Sequence, residues 1–204
     1  MKQILILIFF TSASIFAQDE KFQIDFGMNN GWFHFEEDFY DDQKTSFSPN
    51  FAVAAHFSLS EFGKFETSAG IKYYRLERNI EYEFNGFTSK AELNHSYFAF
   101  PFQLKYNANL FSSKLIFNLQ PSYLLDSKTQ VWDYYLDDYQ EKDVTGKHHR
   151  IQLFVGAGIE FNFKIIGQTF GVKSLFNINP FSVPQMNWVK YTLTEAGLYL
   201  TYLF

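Results

Sequence analysis

Cysteine is missing from all 204 residues, which excludes disulfides, thiolate metal sites and a lipid-modified amino-terminal cysteine. Positive charge is in short supply: 17 Lys+Arg stand against 22 Asp+Glu, a net charge of −5. A negative balance argues against nucleic acid as a partner and against passive adhesion to anionic lipid. Beyond the first 17 residues no run of about 18 uncharged apolar residues occurs, so no helix is built to cross a bilayer.

What is present begins at the amino terminus. Met1-Lys2 supplies a positive start, Ile4 to Phe10 an apolar stretch, and Thr11 to Ala17 a smaller-residue stretch ending Phe-Ala-Gln. That pattern predicts a secretory signal peptide over residues 1–17, cut between Ala17 and Gln18. Its apolar run is too brief to span about 30 Å as an anchor helix. The remaining chain, 18–204, suits one domain. Without Lys2 it holds 16 Lys+Arg against 22 Asp+Glu, a net charge of −6. Aromatics reach 21%, led by 27 Phe and 13 Tyr, yet mean hydropathy is only −0.19. Such a balance fits strands that are apolar on one face only.

Alternation of period two recurs along the chain. It predicts strands over about Phe22 to Asn29, Phe51 to Leu59, Phe65 to Tyr74, Tyr97 to Tyr106 and Leu115 to Tyr123. Arg150 to Phe163, Phe170 to Ile178 and Tyr191 to Phe204 complete eight. Short turns fall at 60–64, 107–113 and 164–168. Long polar loops are expected at about 35–49, 79–95, 126–149 and 179–189. Short and long connections in turn, with both termini at one end, are the layout of an eight-stranded antiparallel up-and-down transmembrane β-barrel.

Charge placement tests that layout. One parity carries Phe22, Phe26, Val53, Phe57, Ile71, Phe98, Phe102, Phe117, Leu153, Phe161, Val172 and Phe176, with no charged residue among its positions in the first seven strands. The other parity collects Asp25, Glu66, Lys72, Lys105, Arg150, Glu160, Lys173 and Glu195, together with His56, Gln103 and Asn118. A lysine or arginine facing lipid at mid-depth costs roughly 2–4 kcal/mol, so the partition points to a lipid face and a lumen. A soluble sandwich would alternate too. The two chain ends favour the membrane.

The last ten residues are Glu195-Ala-Gly-Leu-Tyr-Leu-Thr-Tyr-Leu-Phe204. With Gly197, Leu200, Tyr202 and a terminal Phe204, they resemble the strand by which outer-membrane barrels are handed to the barrel assembly machinery.

Tyr97-Phe-Ala-Phe-Pro-Phe-Gln-Leu-Lys-Tyr106 is similar to the proline-apolar-lysine-tyrosine strand of the PorT-like outer-membrane barrel family of Bacteroidetes. Phe26-Gly-Met-Asn-Asn-Gly31 resembles that family's opening strand, and Gly156-Ala-Gly-Ile-Glu160 and Gly171-Val-Lys173 its sixth and seventh. Tyr73-Tyr-Arg-Leu-Glu77 departs from the usual small residue and lysine-glycine. The resemblance implies place and fold, with a link to protein secretion and gliding through the founding member.

An eight-stranded barrel has an interior just wide enough for side chains to fill it. Asp25, Lys173 and Glu195 form the expected polar cluster of the lumen, with Lys173 on the strand beside Glu195 as its neutralising partner. An Asp25–Glu195 carboxylate dyad for acid and base work is the sharper alternative. His34, His95 and His148-His149 fall near the outer rim, where a rim enzyme or a zinc site is conceivable. No catalytic spacing accompanies them, so no catalytic, cofactor or metal residue is assigned.

The loops 35–49 and 126–149 interleave acids with Trp and Tyr, the residues of recognition surfaces. Calcium could bridge such acids, but the regular ligand spacing of a calcium loop is missing. The sequence thus predicts a small outer-membrane barrel. Its expected contacts are membrane lipid, the assembly machinery and a surface protein or glycan. A narrow channel or transport accessory is the first alternative, a rim hydrolase or acyltransferase the second.

Overall fold

The computed structural model describes residues 22–35, 44–45, 48–84, 87–108, 112–133, 138–143, 145, 149–181, 183–185 and 189–204. The expected signal peptide and its Ala17–Gln18 junction lie outside them. The strands are β1 Phe22–Phe35, β2 Lys44–Thr45, β3 Asn50–Phe62, β4 Phe65–Phe84, β5 Phe87–Ala99 and β6 Phe102–Asn107. They continue with β7 Ser113–Asp133, β8 Asp138–Asp143, β9 Ile151–Ile165, β10 Gln168–Ile178, β11 Val183–Gln185 and β12 Val189–Leu203.

Eight staves close on themselves. The antiparallel order is β1-β3-β4-β5-β7-β9-β10-β12, and β12 returns to pair with β1 from Gln23↔Leu203 to Phe35↔Tyr191. β6 continues the β5 stave between β4 and β7. The break between them is Pro101, which has no N–H to give the ladder. Its carbonyl still accepts from Gly70 N, and the Pro121 carbonyl accepts from Phe100 N, each at 2.9 Å, so the wall stays continuous.

Register sets the barrel's tilt. Neighbours run Phe22↔Phe57↔Ala69↔Phe102↔Leu119↔Val155↔Ile178↔Thr194↔Trp32 around the wall. Starting at residue 22, the path returns to β1 at residue 32, a stagger of ten residues. Eight strands with such a stagger tilt by roughly 35–45°. On β7 the outward side chains from Leu115 to Tyr123 span eight steps of about 3.3 Å, a rise of roughly 20 Å at that tilt. That matches a lipid-facing apolar band of about 25 Å. Phe26, Met28, Phe51, Phe102, Phe117, Leu198 and Leu200 are exposed on this face, as only lipid contact makes favourable.

Aromatic pairs mark the end of the band where both termini lie. Phe65 and Tyr106 sit 5.2 Å apart, Phe170 and Tyr202 5.2 Å, and Tyr202 and Phe204 4.5 Å. Phe22 closes the row against Phe204 at 5.4 Å. At the same end the β9–β10 turn places Ile166 (φ 51°) and Gly167 (φ 80°) in the left-handed conformation that two-residue hairpins require.

Two of the expected loops prove to be mostly strand. β4 and β5 pair all the way to Phe84↔Phe87, across the expected loop at 79–95. β7 runs on to Asp133 and pairs with β8, across the expected loop at 126–149. β2 pairs with β4 inside the loop expected at 35–49, and β11 with β12 inside the one at 179–189. Beyond the lipid band both faces of a strand meet water, so alternation fades although the backbone ladder continues. Two bulges flip the parity: the register shifts between Ser58 and Ser60 on β3, and opposite Ser96/Tyr97 on β7.

Candidate functional site

The inward parity of the staves puts the charged side chains into one interior, where they sort by height. Nearest the short turns, Lys173 of β10 contacts Asp25 of β1, and His56 Nε2 lies 3.0 Å from the same carboxylate oxygen. Gln23 donates to the other oxygen of Asp25 at 2.7 Å and accepts from Lys105 Nζ at 2.7 Å. Lys105 also stands 3.2 Å from Glu160, while Lys114 holds Glu66 at 2.6 Å. Each buried charge therefore meets one of opposite sign, the condition under which ions survive away from water.

Half-way up, Glu195 of β12 is the centre. Lys72 of β4 contacts its Oε1, Asn29 donates to the same oxygen at 2.7 Å, and Gln120 donates to Oε2 at 3.2 Å. Tyr199 bridges the two levels. Its ring centroid is 5.4 Å from Lys72 Nζ and 5.5 Å from Lys173 Nζ, within range of cation–π attraction to both. Its hydroxyl donates to Asn29. Two glycines make room for it. A Cβ on Gly27 would lie 2.7 Å from Tyr199 Cδ1, and one on Gly197 2.5 Å from Tyr199 Cε2.

Above that the interior is aromatic and aliphatic. Tyr74 and Tyr97 stack at 5.0 Å, with Phe154 edge-on at 6.4 and 6.1 Å. Leu76, Leu93, Leu124 and Leu193 pack in the same cluster. Each phenol finds a partner, Tyr74 on Ser122 at 3.1 Å and Tyr97 on Gln152 at 3.2 Å. Tyr74, Tyr97, Gln120, Leu124, Glu160, Lys173, Asn177 and Glu195 are all 0% exposed. A water-filled channel would leave its lining accessible. This interior is packed.

The expected cluster of Asp25, Lys173 and Glu195 is divided. Asp25 and Lys173 meet; Glu195 does not join them. Lys173 is level with Tyr199 and Glu195 with Asn177, four residues along the strand, so the expected Lys173–Glu195 pair gives way to Lys173–Asp25 and Lys72–Glu195. The Asp25–Glu195 dyad fails for the same reason. Asp25 faces Thr201 and Glu195 faces Gly31, six residues or roughly 20 Å apart. Lys72, His56 and Tyr199 are the partners that sequence reasoning left unassigned. Inward parity flags all three, Tyr199 by its even spacing from Glu195, but only the register says whom they meet.

The rim histidines also move. His95 faces inward, buried and hydrogen-bonded to Ser127 at 2.9 Å, rather than standing at a solvated rim. His149 is exposed, His148 lies outside the described residues, and His34 is known only by its backbone on β1. Arg150, expected in the lumen, precedes β9 at a bend and turns outward. It donates to the Tyr123 hydroxyl at 3.0 Å.

Of the carboxy-terminal residues, Gly197 faces the lumen, Leu200 is exposed on the lipid face, and Tyr202 and Phe204 belong to the aromatic girdle. At the opposite end, β2, β4, β5, β7 and β8 form a sheet that rises on one side of the barrel mouth. Phe84 stands eleven residues past Tyr73, where the apolar band of β4 ends.

A closed wall with an apolar outer band and a charged, packed interior is the architecture of a bacterial outer-membrane protein. Residues 16–182 match the family described as outer membrane protein beta-barrel domain. The chain belongs to that family and resides in the outer membrane, its apolar band in lipid. No curated protein matches it. Among solved structures, it resembles Ail, the attachment invasion locus protein of Yersinia pestis, solved with the heparin analogue sucrose octasulfate. Identity there is 13% and the TM-score 0.48, over 92% of this chain and 100% of that one. Neisserial surface protein A is similar at 11% identity and a TM-score of 0.41, over 91% and 97%. The translocator domain of the autotransporter NalP from Neisseria meningitidis gives 7% and 0.40, over 95% and 93%.

Proposed function

We propose that this barrel is not a conduit but a membrane-anchored platform that works through its extracellular end, in a structural or surface-interaction role. One observation carries the reading: the eight lumen residues with no accessible surface, drawn from both the ionic and the aromatic levels. Where the interior is solid, specificity resides on the wall's outer rim and the strands that rise from it. Segments 35–49 and 126–149, rich in acids with Trp and Tyr, are the contact surfaces in this reading, for a protein or a glycan.

The reading includes the route to the membrane. Residues 1–17 act as the signal peptide, removed between Ala17 and Gln18, and both termini face the periplasm. The assembly machinery recognises the last strand through Gly197, Leu200, Tyr202 and Phe204. The Tyr97–Tyr106 strand with Pro101 supports a place in the PorT-like subgroup. No catalytic group, cofactor or metal belongs to the proposal.

Conductance in planar lipid bilayers tests it. The purified barrel is expected to give no steady single-channel steps at neutral pH. Reproducible steps would favour the channel alternative.

A further inference from the structure

Among the described residues, the sheet above the barrel mouth ends on β8 with one side unpaired. β8 pairs with β7 from Lys128↔Asp143 to Asp133↔Asp138, and among the described residues no strand pairs with its other edge. In an antiparallel pair alternate residues direct both N–H and C=O away from the partner, so β8 offers an outward row of backbone donors and acceptors.

Charge selects what can use that row. β8 reads Asp138-Tyr-Gln-Glu-Lys-Asp143, three acids against one lysine. Its paired side already shows the fitting complement: Lys128 Nζ lies 2.6 Å from Glu141 Oε1, and Gln130 donates to Oε2 at 3.1 Å. The Lys128 contact holds the Glu141 carboxyl below its usual range and raises the lysine. Glu141 and Asp143 remain exposed, the first paired with Lys128 and the second accepting from Thr145 N at 2.9 Å. A second copy of this chain fits poorly. Antiparallel self-pairing centred on the strand would set Asp138 against Asp143 twice, and like charges directly opposite are destabilising.

We propose that the free edge of β8 takes an extended, lysine- or arginine-bearing segment of a partner protein as an added strand. Backbone hydrogen bonds supply affinity, and the acids admit basic strands while rejecting acidic ones and copies of themselves. The inference rests on the surface-interaction reading above but fails separately from it. Channel activity would remove that reading and leave β8 untouched, whereas the test below concerns β8 alone.

The test uses the whole barrel in lipid nanodiscs with two synthetic peptides, one alternating Thr and Lys, one alternating Thr and Glu. The Lys peptide should bind and slow hydrogen exchange at alternate amides within Tyr139–Lys142. Reversing two charges, Glu141→Lys with Asp143→Lys, should weaken that binding roughly fivefold or more and admit the Glu peptide, since each cross-strand charge pair changes sign. Heat-modifiable mobility on gels would establish that the variant still folds. Equal binding of both peptides, binding without protection of β8, or no binding of the Lys peptide would each overturn the proposal.

Discussion

Lys72 and Glu195, 123 residues apart in the chain, meet at the centre of the lumen with both side chains almost wholly removed from water. Two staves, β3 and β1, separate β4 from β12 in one direction round the wall and four in the other, so the pair ties the barrel together across its interior. Lys72→Met alone should cost about 3–5 kcal/mol, because it strands a buried carboxylate, whereas Lys72→Met with Glu195→Leu should cost far less. Urea unfolding in detergent micelles gives the comparison. Adding Glu195→Leu should not rescue Lys173→Met, whose partner is Asp25. Equal rescue in both cases would show that the two pairs are wrongly assigned.

Tyr199 needs the empty space over Gly197, where an added Cβ would first meet the side chains of Asn29 and Tyr199. Gly197→Val should push the ring off its position between Lys72 and Lys173, with an overpacking cost of about 1–3 kcal/mol. Combining it with Tyr199→Ala should yield a smaller total than the two single changes summed. Strict additivity in the same unfolding assay would mean that the two residues do not compete for one volume.

The wall of the barrel was legible in the chain, and the reason is physical. Period-two alternation with one uncharged face survives wherever lipid lies on one side and a lumen on the other, so Phe98, Phe102 and Phe117 and their inward neighbours could be placed. Above the lipid that asymmetry ends. The pairing of β4 with β5 out to Phe84, and of β7 with β8, leaves no apolar stripe, and without one a polar sequence cannot be told from a loop. Inside, parity named Asp25, Lys173 and Glu195 as lumen residues, but partners depend on the ten-residue stagger of the wall, a property of all eight staves at once. Four residues of offset turned the expected Lys173–Glu195 pair into two others. His95 misled for a related reason: its distance from the lipid band suggested a rim, while its inward parity buried it beside Ser127.

Orientation in the membrane can be checked by insertion. An epitope or protease site placed at Asp137-Asp138, beside β8, should be tolerated and reached from outside intact cells. The same insert at Phe62-Gly63, in the turn between β3 and β4, should stay protected until the outer membrane is permeabilised. The opposite pattern would reverse the orientation while leaving the barrel in place.

Assembly should depend on the last residue more than stability does. Phe204 packs on Phe22 and Tyr202 at the girdle, but it makes a small part of the wall. Deleting it should cut the folded fraction in membranes severalfold while shifting the unfolding midpoint of what does fold only slightly. Heat-modifiable mobility reads the first quantity and urea titration the second. Normal accumulation of the truncated chain would remove the terminal strand as an assembly signal.

The absence of cysteine allows the packed lumen, on which the whole account depends, to be probed at single positions. Ser122 lies in the interior, buried beneath the Tyr74 hydroxyl, whereas Asp143 is exposed on β8. Ser122→Cys and Asp143→Cys barrels in nanodiscs would be treated with a charged, membrane-impermeant maleimide and the rates followed by mass spectrometry. Labelling is expected at 143 within minutes, with protection at 122 until the barrel is denatured. Labelling of Ser122→Cys in the folded barrel at a rate near that of Asp143→Cys would mean that water fills the interior, and would contradict a packed lumen.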